Sequence, residues 1–149
     1  MDVATWLEAY RHAWEEENAE AAAALFAEDA TYRSNIFEDA YEGRDGVRAY
    51  WTSVTSTQED VRVLMGAPFV DGDRVAAEFW TTMVNDGAEI TLPGCLLLRF
   101  GANGLCTALR EYWHVEPGRR DPRRAGATSP PEAASACRDL HLKPCGVGV

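Results

Sequence analysis

The sequence has no long apolar run, and this absence limits what the chain can be. No stretch approaches the roughly 18 apolar residues expected of a transmembrane helix, and no signal peptide precedes the first predicted helix. We therefore expect a cytoplasmic protein without a membrane partner. Its 149 residues predict a single domain whose core needs no disulfides.

Basic residues are scarce. The chain has 14 Lys and Arg against 24 Asp and Glu, and its formal net charge is −10. Residues 117–149 hold six of the basic and three of the acidic groups, so residues 1–116 hold 8 basic and 21 acidic groups. A body this acidic repels phosphate backbones, which indicates that nucleic acid is not a partner.

Cysteines are also few, and their spacing matches no known metal or redox motif. Cys95, Cys106, Cys137 and Cys145 form no CxxC pair and no Cys/His cluster. Free thiols without a chemical role are the favoured interpretation. We expect neither a metal nor another cofactor.

Hydrophobic periodicity divides residues 1–116 into helices followed by strands. Apolar residues recur at helical spacing in 3–17, in 19–27 and after Asp45, and a short strand is predicted at 30–33. A period of two then predicts four long strands, at 60–70, 74–84, 89–100 and 105–115. Three helices before an antiparallel meander indicate the α+β class. Residues 117–149 lack periodicity and predict a disordered or loosely draped tail.

The last two strands place a carboxylate on an apolar face. The Gly101–Gly104 turn predicts a hairpin in which Leu109 lies opposite Leu96, and Glu111 opposite Gly94. Glu111 then shares its strand face with leucines and Trp113, beside a residue without a side chain. We interpret this as the wall of a pocket.

The strand before this hairpin adds a second carboxylate. If Asn85–Gly87 forms the turn, Glu78 also lies opposite Gly94, and Trp80 opposite Leu92. Two strand spacings would place the backbones of Glu78 and Glu111 about 10 Å apart. Burial and like charge would raise the pKa of one of them, giving a base and an acid near neutral pH. Our hypothesis makes Glu111 the general base and Glu78 the acid or orienting group.

Two other interpretations of the carboxylates stay open. Arg33 or Arg48 can reach the same interior, where an arginine would either neutralise a glutamate or steady developing negative charge. A register slip of one residue would instead turn the other face of the last strand inward. His114 would then be the alternative base, although we place it on the outer face.

Aromatic residues are abundant enough to favour a cavity between the helices and the sheet. The chain has five tryptophans, and such rings rarely close-pack without leaving voids or needing partners for their N–H groups. Core packing alone is the other interpretation. The candidate lining residues are Trp14, Tyr32, Phe37, Trp51, Trp80 and Trp113.

Three stretches carry a family resemblance that covers residues 1–116. They are Ala13-Trp14 with LFAEDATY (25–32), YEGRDGVRAYW (41–51) and LREYW (109–113). These stretches, and the order of elements, resemble the SnoaL-like (polyketide-cyclase-like) branch of the nuclear transport factor 2-like superfamily. The resemblance implies a cone-shaped α+β barrel in which three N-terminal helices pack on a curved, mostly antiparallel sheet. Relatives dimerise through the outer sheet face, so we expect a homodimer.

Function must be argued from the site, because this superfamily hosts several chemistries. The first hypothesis is a cofactor-independent enzyme that moves protons on a small hydrophobic, carbonyl-bearing molecule. The reaction would be an isomerisation, an aldol-type cyclisation or a dehydration. The second hypothesis is a non-catalytic small-molecule-binding or accessory module that uses the same cavity.

Overall fold

Three helices form one layer of the protein. The computed structural model describes residues 1–122, and its helices are α1 (Val3–Glu15), α2 (Ala19–Ala24) and α3 (Gly43–Thr55). Asp2 caps α1 by accepting a hydrogen bond from the Thr5 amide at 2.9 Å, and Asn18 caps α2 in the same way. No helix in this part of the chain is both long and apolar enough to span a bilayer.

A single curved and unclosed sheet forms the other layer, which confirms the α+β class. Its neighbouring strands run in the order β2-β1-β7-β6-β5-β3, with β4 paired to β5 and β8 to β6. All pairs are antiparallel except β1 with β7, which is parallel. The strands are β1 (Phe26–Arg33), β2 (Tyr41–Glu42), β3 (Gln58–Met65), β4 (Phe69–Asp71), β5 (Arg74–Asn85), β6 (Ala88–Phe100), β7 (Cys106–Trp113) and β8 (Glu116–Pro117).

Several predicted elements have different bounds in the structure, and two of these differences have a clear physical cause. The second helix ends at Ala24, because Phe26 already pairs with Cys106 and is fully buried. Pairing with β7 therefore overrides the helix propensity of the alanine run. The predicted strand 60–70 is divided around Pro68, which has no N–H for a sheet hydrogen bond.

The predicted register of β5 on β6 is wrong by one residue. Asp86 and Gly87 both have positive φ, 48° and 76°, so they form a two-residue loop between the paired residues Asn85 and Ala88. Phe79, rather than Glu78, therefore lies opposite Gly94. A slip of one residue reverses both faces of β5, so Phe79 is buried and Glu78 is exposed. Val75, Ala77 and Thr81 share this face with Phe79 and are buried as well.

The register of β6 on β7 differs from the prediction by two residues. Glu111 lies opposite Leu96 and Trp113 opposite Gly94, with an irregularity between Arg99 and Phe100. An even shift keeps every side chain on its predicted face. Glu111 therefore still points to the interior.

The first residues of the predicted tail pack on the sheet. Pro117 pairs with Ile90 through β8, and the Thr91 hydroxyl donates to the Gly118 carbonyl at 2.7 Å. Arg119 forms ion pairs with Asp60 and Glu89. The rest of the predicted tail, 123–149, lies outside the described residues, as do Cys137 and Cys145.

Gly94 does not leave the gap that we expected between two glutamates. A Cβ atom there would overlap the ring of Phe79 and lie 2.7 Å from the Tyr112 carbonyl oxygen. The ring of Phe79 thus occupies the space beside the glycine, and any larger residue must displace it.

We predict that Gly94→Ala lowers the free energy of unfolding by about 1–3 kcal/mol, the usual cost of overpacking a core. Gly66→Ala is the matched control, because a Cβ at Gly66 makes ordinary contacts at 3.4 Å. Urea titration followed by tryptophan fluorescence measures both. Equal stability of the two variants would show that the Phe79 contact does not restrict this position.

Candidate functional site

A cavity of about 220 Å³ lies between the helices and the inner face of the sheet. Among residues 1–122, one carboxylate, Glu111, belongs to its wall, and no Lys or Arg does. The lining residues are Tyr10, Trp14, Tyr32, Tyr50, Trp51, Val54, Thr57, Gln58, Met83, Asn85, Ile90, Leu92, Glu111, Trp113 and Val115.

Two tyrosines hold the Glu111 side chain, which is only 5% exposed. The Tyr32 hydroxyl donates to Glu111 Oε1 at 2.6 Å, and the Tyr50 hydroxyl donates to the same oxygen at 3.2 Å. Both hydrogen bonds thus fix one oxygen and the orientation of the carboxyl group. The second oxygen, Oε2, accepts no hydrogen bond from residues 1–122.

A third tyrosine extends this arrangement. The hydroxyls of Tyr10 and Tyr32 are 2.9 Å apart, and because Tyr32 donates to Glu111, Tyr10 is the donor to Tyr32. The pKa of each of the three tyrosines, Tyr10, Tyr32 and Tyr50, is raised well above the ordinary value for tyrosine. Burial is the larger cause, and the negative charge of Glu111 is the second. The tyrosines therefore stay protonated at neutral pH and act as donors.

The buried carboxyl group titrates near neutrality. Burial raises the pKa of Glu111 to about 7, and the hydrogen bonds from Tyr32 and Tyr50 oppose part of that rise. A carboxyl with this pKa is divided between its charged and neutral forms at pH 7. It can accept a proton or return one, as a general acid–base group must.

Four separate elements bring the groups together. Glu111 lies on β7, Tyr32 on β1, Tyr10 on α1 and Tyr50 on α3. Parallel pairing places Tyr32 beside Leu109, two residues from Glu111. The rings of Tyr32 and Tyr50 pack with centroids 4.5 Å apart, so both hydroxyls reach one oxygen.

Five residues that we selected from the sequence line this cavity. Besides Glu111 they are Trp14, Tyr32, Trp51 and Trp113. Trp113 is 45% exposed and stands at the cavity's edge, where its N–H donates to the Ser34 carbonyl at 3.1 Å. Their roles in binding stay predictions.

The expected interior positions of Glu78 and Trp80 are wrong. The one-residue register difference places both on the outer sheet face, where they line a hollow that also includes Cys95, Tyr112 and His114. Glu78 therefore lies across the sheet from Glu111. His114 is exposed on the outer side, as we expected.

Neither of the two expected arginines reaches the cavity, and Phe37 does not reach it either. Arg33 donates to the Glu38 carbonyl and lines the outer sheet face. Arg48 forms ion pairs with Glu20 and Asp45 at the surface. Phe37 is 93% exposed on the loop after β1. Neither Arg33 nor Arg48 therefore neutralises Glu111.

Sequence reasoning missed Tyr10 as a site residue. It is buried on α1, but nothing local in the sequence indicates that its hydroxyl meets Tyr32. The contact depends on the packing of α1 against β1, which no periodicity reports. The other lining residues absent from our selection are Tyr50 and Val54 on α3, Gln58, Met83, Asn85, Ile90 and Leu92 on β3, β5 and β6, and Thr57 and Val115, which lie outside the helices and strands.

Within residues 1–122, no group of three or more His, Cys, Asp or Glu side chains is placed to hold a metal ion. Cys95 and Cys106 are free thiols.

The family model of the SnoaL-like domain matches residues 7–109. This range contains Tyr10, Tyr32 and Tyr50 and ends two residues before Glu111. Comparison with curated proteins gives no match.

Solved structures share the fold. A protein with a ketosteroid isomerase-like fold from Catenulispora acidiphila DSM 44928, in complex with trimethylamine, is 26% identical, with a TM-score of 0.66 over 72% of this chain and 83% of that chain. The epoxide hydrolase/cyclase-like enzyme SalBIII of salinomycin pyran ring formation is 20% identical, with a TM-score of 0.68 over 76% of this chain and 94% of that one. A protein assigned as a SnoaL-like polyketide cyclase from Shewanella denitrificans OS-217 is 15% identical, with a TM-score of 0.65 over 74% and 89%.

We predict that Glu111→Gln gains stability relative to the wild type when the pH is raised from 5 to 8. The pKa of Glu111 rises from 4.5 in the unfolded chain to about 7 in the folded one. Between these values the folded protein binds more protons, so wild-type stability falls as pH rises and levels off above pH 7. Each pKa unit is about 1.4 kcal/mol, so the stability difference between variant and wild type should grow by about 2–3 kcal/mol.

Urea titrations at both pH values measure this change. Glu78→Gln, on the exposed outer face, is the matched control, and its difference from the wild type should stay small at both pH values. A stability difference for Glu111→Gln that does not change with pH would mean that the carboxyl group is not protonated in the folded protein near neutrality.

Proposed function

Because the chain belongs to the SnoaL-like domain family, we propose that it is a cofactor-independent enzyme that transfers protons on a small hydrophobic, carbonyl-bearing molecule. The observation that carries this proposal is the buried, tyrosine-held Glu111 with a pKa of about 7, in an aromatic cavity that no Lys or Arg of residues 1–122 lines. A polar group is costly to keep in such a place, and pKa values of this kind are typical of catalytic carboxyls.

Glu111 acts as the general base. Its ionised carboxylate takes a proton from the carbon beside the substrate carbonyl. The electron pair of the broken C–H bond forms a C=C bond, and the π electrons of the C=O bond move onto the oxygen. Tyr32 and Tyr50 hold Oε1, so Oε2 is the atom that faces the substrate. Their high pKa values keep both hydroxyls as donors throughout.

The protonated Glu111 then serves as the acid. Returning the proton to another carbon completes an isomerisation, while attack of the carbanion on a second carbonyl completes an aldol-type cyclisation. Loss of a β-hydroxyl group as water completes a dehydration. One carboxyl with a pKa near 7 can serve both directions of transfer, so a second carboxylate is not required.

The second candidate is a non-catalytic small-molecule-binding module. The structural neighbour from Catenulispora acidiphila is in complex with trimethylamine, and an aromatic cavity with one carboxylate suits a small amine cation. Such a module would bind its ligand without converting it. It would also bind an amine more tightly above pH 7, where Glu111 is ionised.

We also propose that the protein is a homodimer through its outer sheet face. A broad hollow of about 820 Å³ crosses this face, lined by Leu97 and Ala108 and bordered by the exposed side chains of Phe69 and Val70. Apolar surface of this kind is typical of an interface.

We predict that Glu111→Gln abolishes base catalysis in the cavity. 5-Nitrobenzisoxazole tests this without knowledge of the natural substrate, because removal of its C3 proton breaks the N–O bond and releases a coloured phenolate. The wild type should show a saturable rate that rises with pH around a midpoint of about 7. Glu111→Gln should lose about 100-fold or more of that rate.

Glu78→Gln is the control and should keep the wild-type rate, since Glu78 is on the outer face. Equal rates for Glu111→Gln and the wild type would contradict the enzyme proposal. Saturable binding of trimethylamine without any probe turnover would favour the binding module instead.

We predict that Leu97→Glu, which places a charge in the centre of the outer hollow, converts the dimer to a monomer. Light scattering at micromolar concentration should give twice the chain mass for the wild type and the chain mass for the variant. Phe37→Glu, exposed outside this hollow, is the control and should stay dimeric. A monomeric wild type would refute the assembly.

A further inference from the structure

The indole N–H of Trp51 is a buried donor without an acceptor among the described residues. Trp51 lies on α3, is 2% exposed, and its ring packs 5.3 Å from Tyr10 and 5.6 Å from Trp14. Native proteins rarely leave a buried donor unpaired, and each exception calls for an explanation.

The other indoles on this side of the sheet do have acceptors. The N–H of Trp6 donates to the Leu25 carbonyl at 2.9 Å, and that of Trp14 donates to Gln58 Oε1 at 3.0 Å. Even Trp113, which is half exposed, donates to a backbone carbonyl. The unpaired N–H is therefore not a general property of the helix–sheet interface but specific to Trp51.

Trp51 and Glu111 line the same cavity with opposite hydrogen-bonding properties. An indole N–H can only donate, and an ionised carboxylate can only accept. A molecule that presents a C–H to Glu111 and an oxygen to Trp51 would match both groups. In the part of the chain that the structure describes, no Lys or Arg lines the cavity to attract an anion, and a buried carboxylate would repel one.

The cavity volume limits the size of such a molecule. An apolar cavity of about 150 Å³ holds benzene, and pockets for drug-sized ligands begin near 300 Å³. At about 220 Å³, this cavity suits one substituted ring or two fused rings. A skeleton of four fused rings is too large for it.

We propose that Trp51 Nε1 is the hydrogen-bond donor to the substrate's carbonyl oxygen, and that the substrate is an uncharged molecule of one or two rings. This inference rests on the proposed function of the cavity. When Glu111 takes the C–H proton, negative charge develops on the carbonyl oxygen, and a fixed N–H in a water-poor site stabilises it. Trp51 thus supplies the polarising group that the expected arginines do not.

Acetophenone labelled with ¹³C at its carbonyl tests the contact by infrared spectroscopy. Bound to the wild type, its C=O stretch should lie at lower frequency than in an apolar solvent. Trp51→Phe keeps an aromatic ring but removes the N–H, so the frequency should return to the apolar value and affinity should fall about threefold to tenfold. Trp80→Phe, on the outer face, is the control and should match the wild type.

A second measurement on the wild-type protein applies even if Trp51→Phe does not fold. In ¹H–¹⁵N spectra, the Trp51 indole resonance should move downfield with acetophenone but not with α-methylstyrene, in which a CH₂ group replaces the oxygen. An unmoved resonance, an unchanged C=O frequency in Trp51→Phe, or no saturable acetophenone binding would each overturn the inference. A 5-nitrobenzisoxazole rate that depends on Glu111 would still stand in that case, so the two proposals fail separately.

Discussion

The structure depends most on the hydrogen bond from Tyr32 to Glu111, because it lets a carboxyl group remain inside an aromatic core. Burial favours the neutral acid, and the hydroxyls of Tyr32 and Tyr50 partly restore the anion. The balance between these opposing effects holds the pKa of Glu111 near 7. An arginine in place of the tyrosines would stabilise the anion further and make it a weaker base, whereas removing both hydroxyls would favour the acid.

The inner and outer faces of the sheet carry different chemistry as a result of strand register. Glu111, Leu96 and Ala77 form one row across three strands on the inner face, while Glu78, Cys95 and Tyr112 form a row on the outer one. Arg74, Arg99 and Arg110 lie on the outer side of these strands. Among residues 1–122 no Lys or Arg lines the cavity on the inner side.

Sequence alone indicated the class, the helices and the inward face of Glu111, because each depends on local periodicity. The predicted inward position of Glu78 was wrong because the length of the turn between Asn85 and Ala88 decides which face of β5 is buried. A two-residue turn and a three-residue turn cannot be distinguished in this sequence. Glu111 was assigned to the correct face only because the register of β7 on β6 differs from the predicted one by two residues, which is an even number. Tyr10 was missed for another reason, since the contact of its hydroxyl with Tyr32 is a property of tertiary packing.

The parallel pairing of β1 with β7 has a consequence for how the protein folds. Tyr32 lies beside Leu109 only after the chain has closed a segment of more than seventy residues, and closing so long a loop carries an entropic penalty before any contact repays it. Non-local pairings of this kind slow folding. The tyrosine–carboxyl arrangement should therefore be among the last features to form, and its assembly would report on complete folding rather than on helix or hairpin formation.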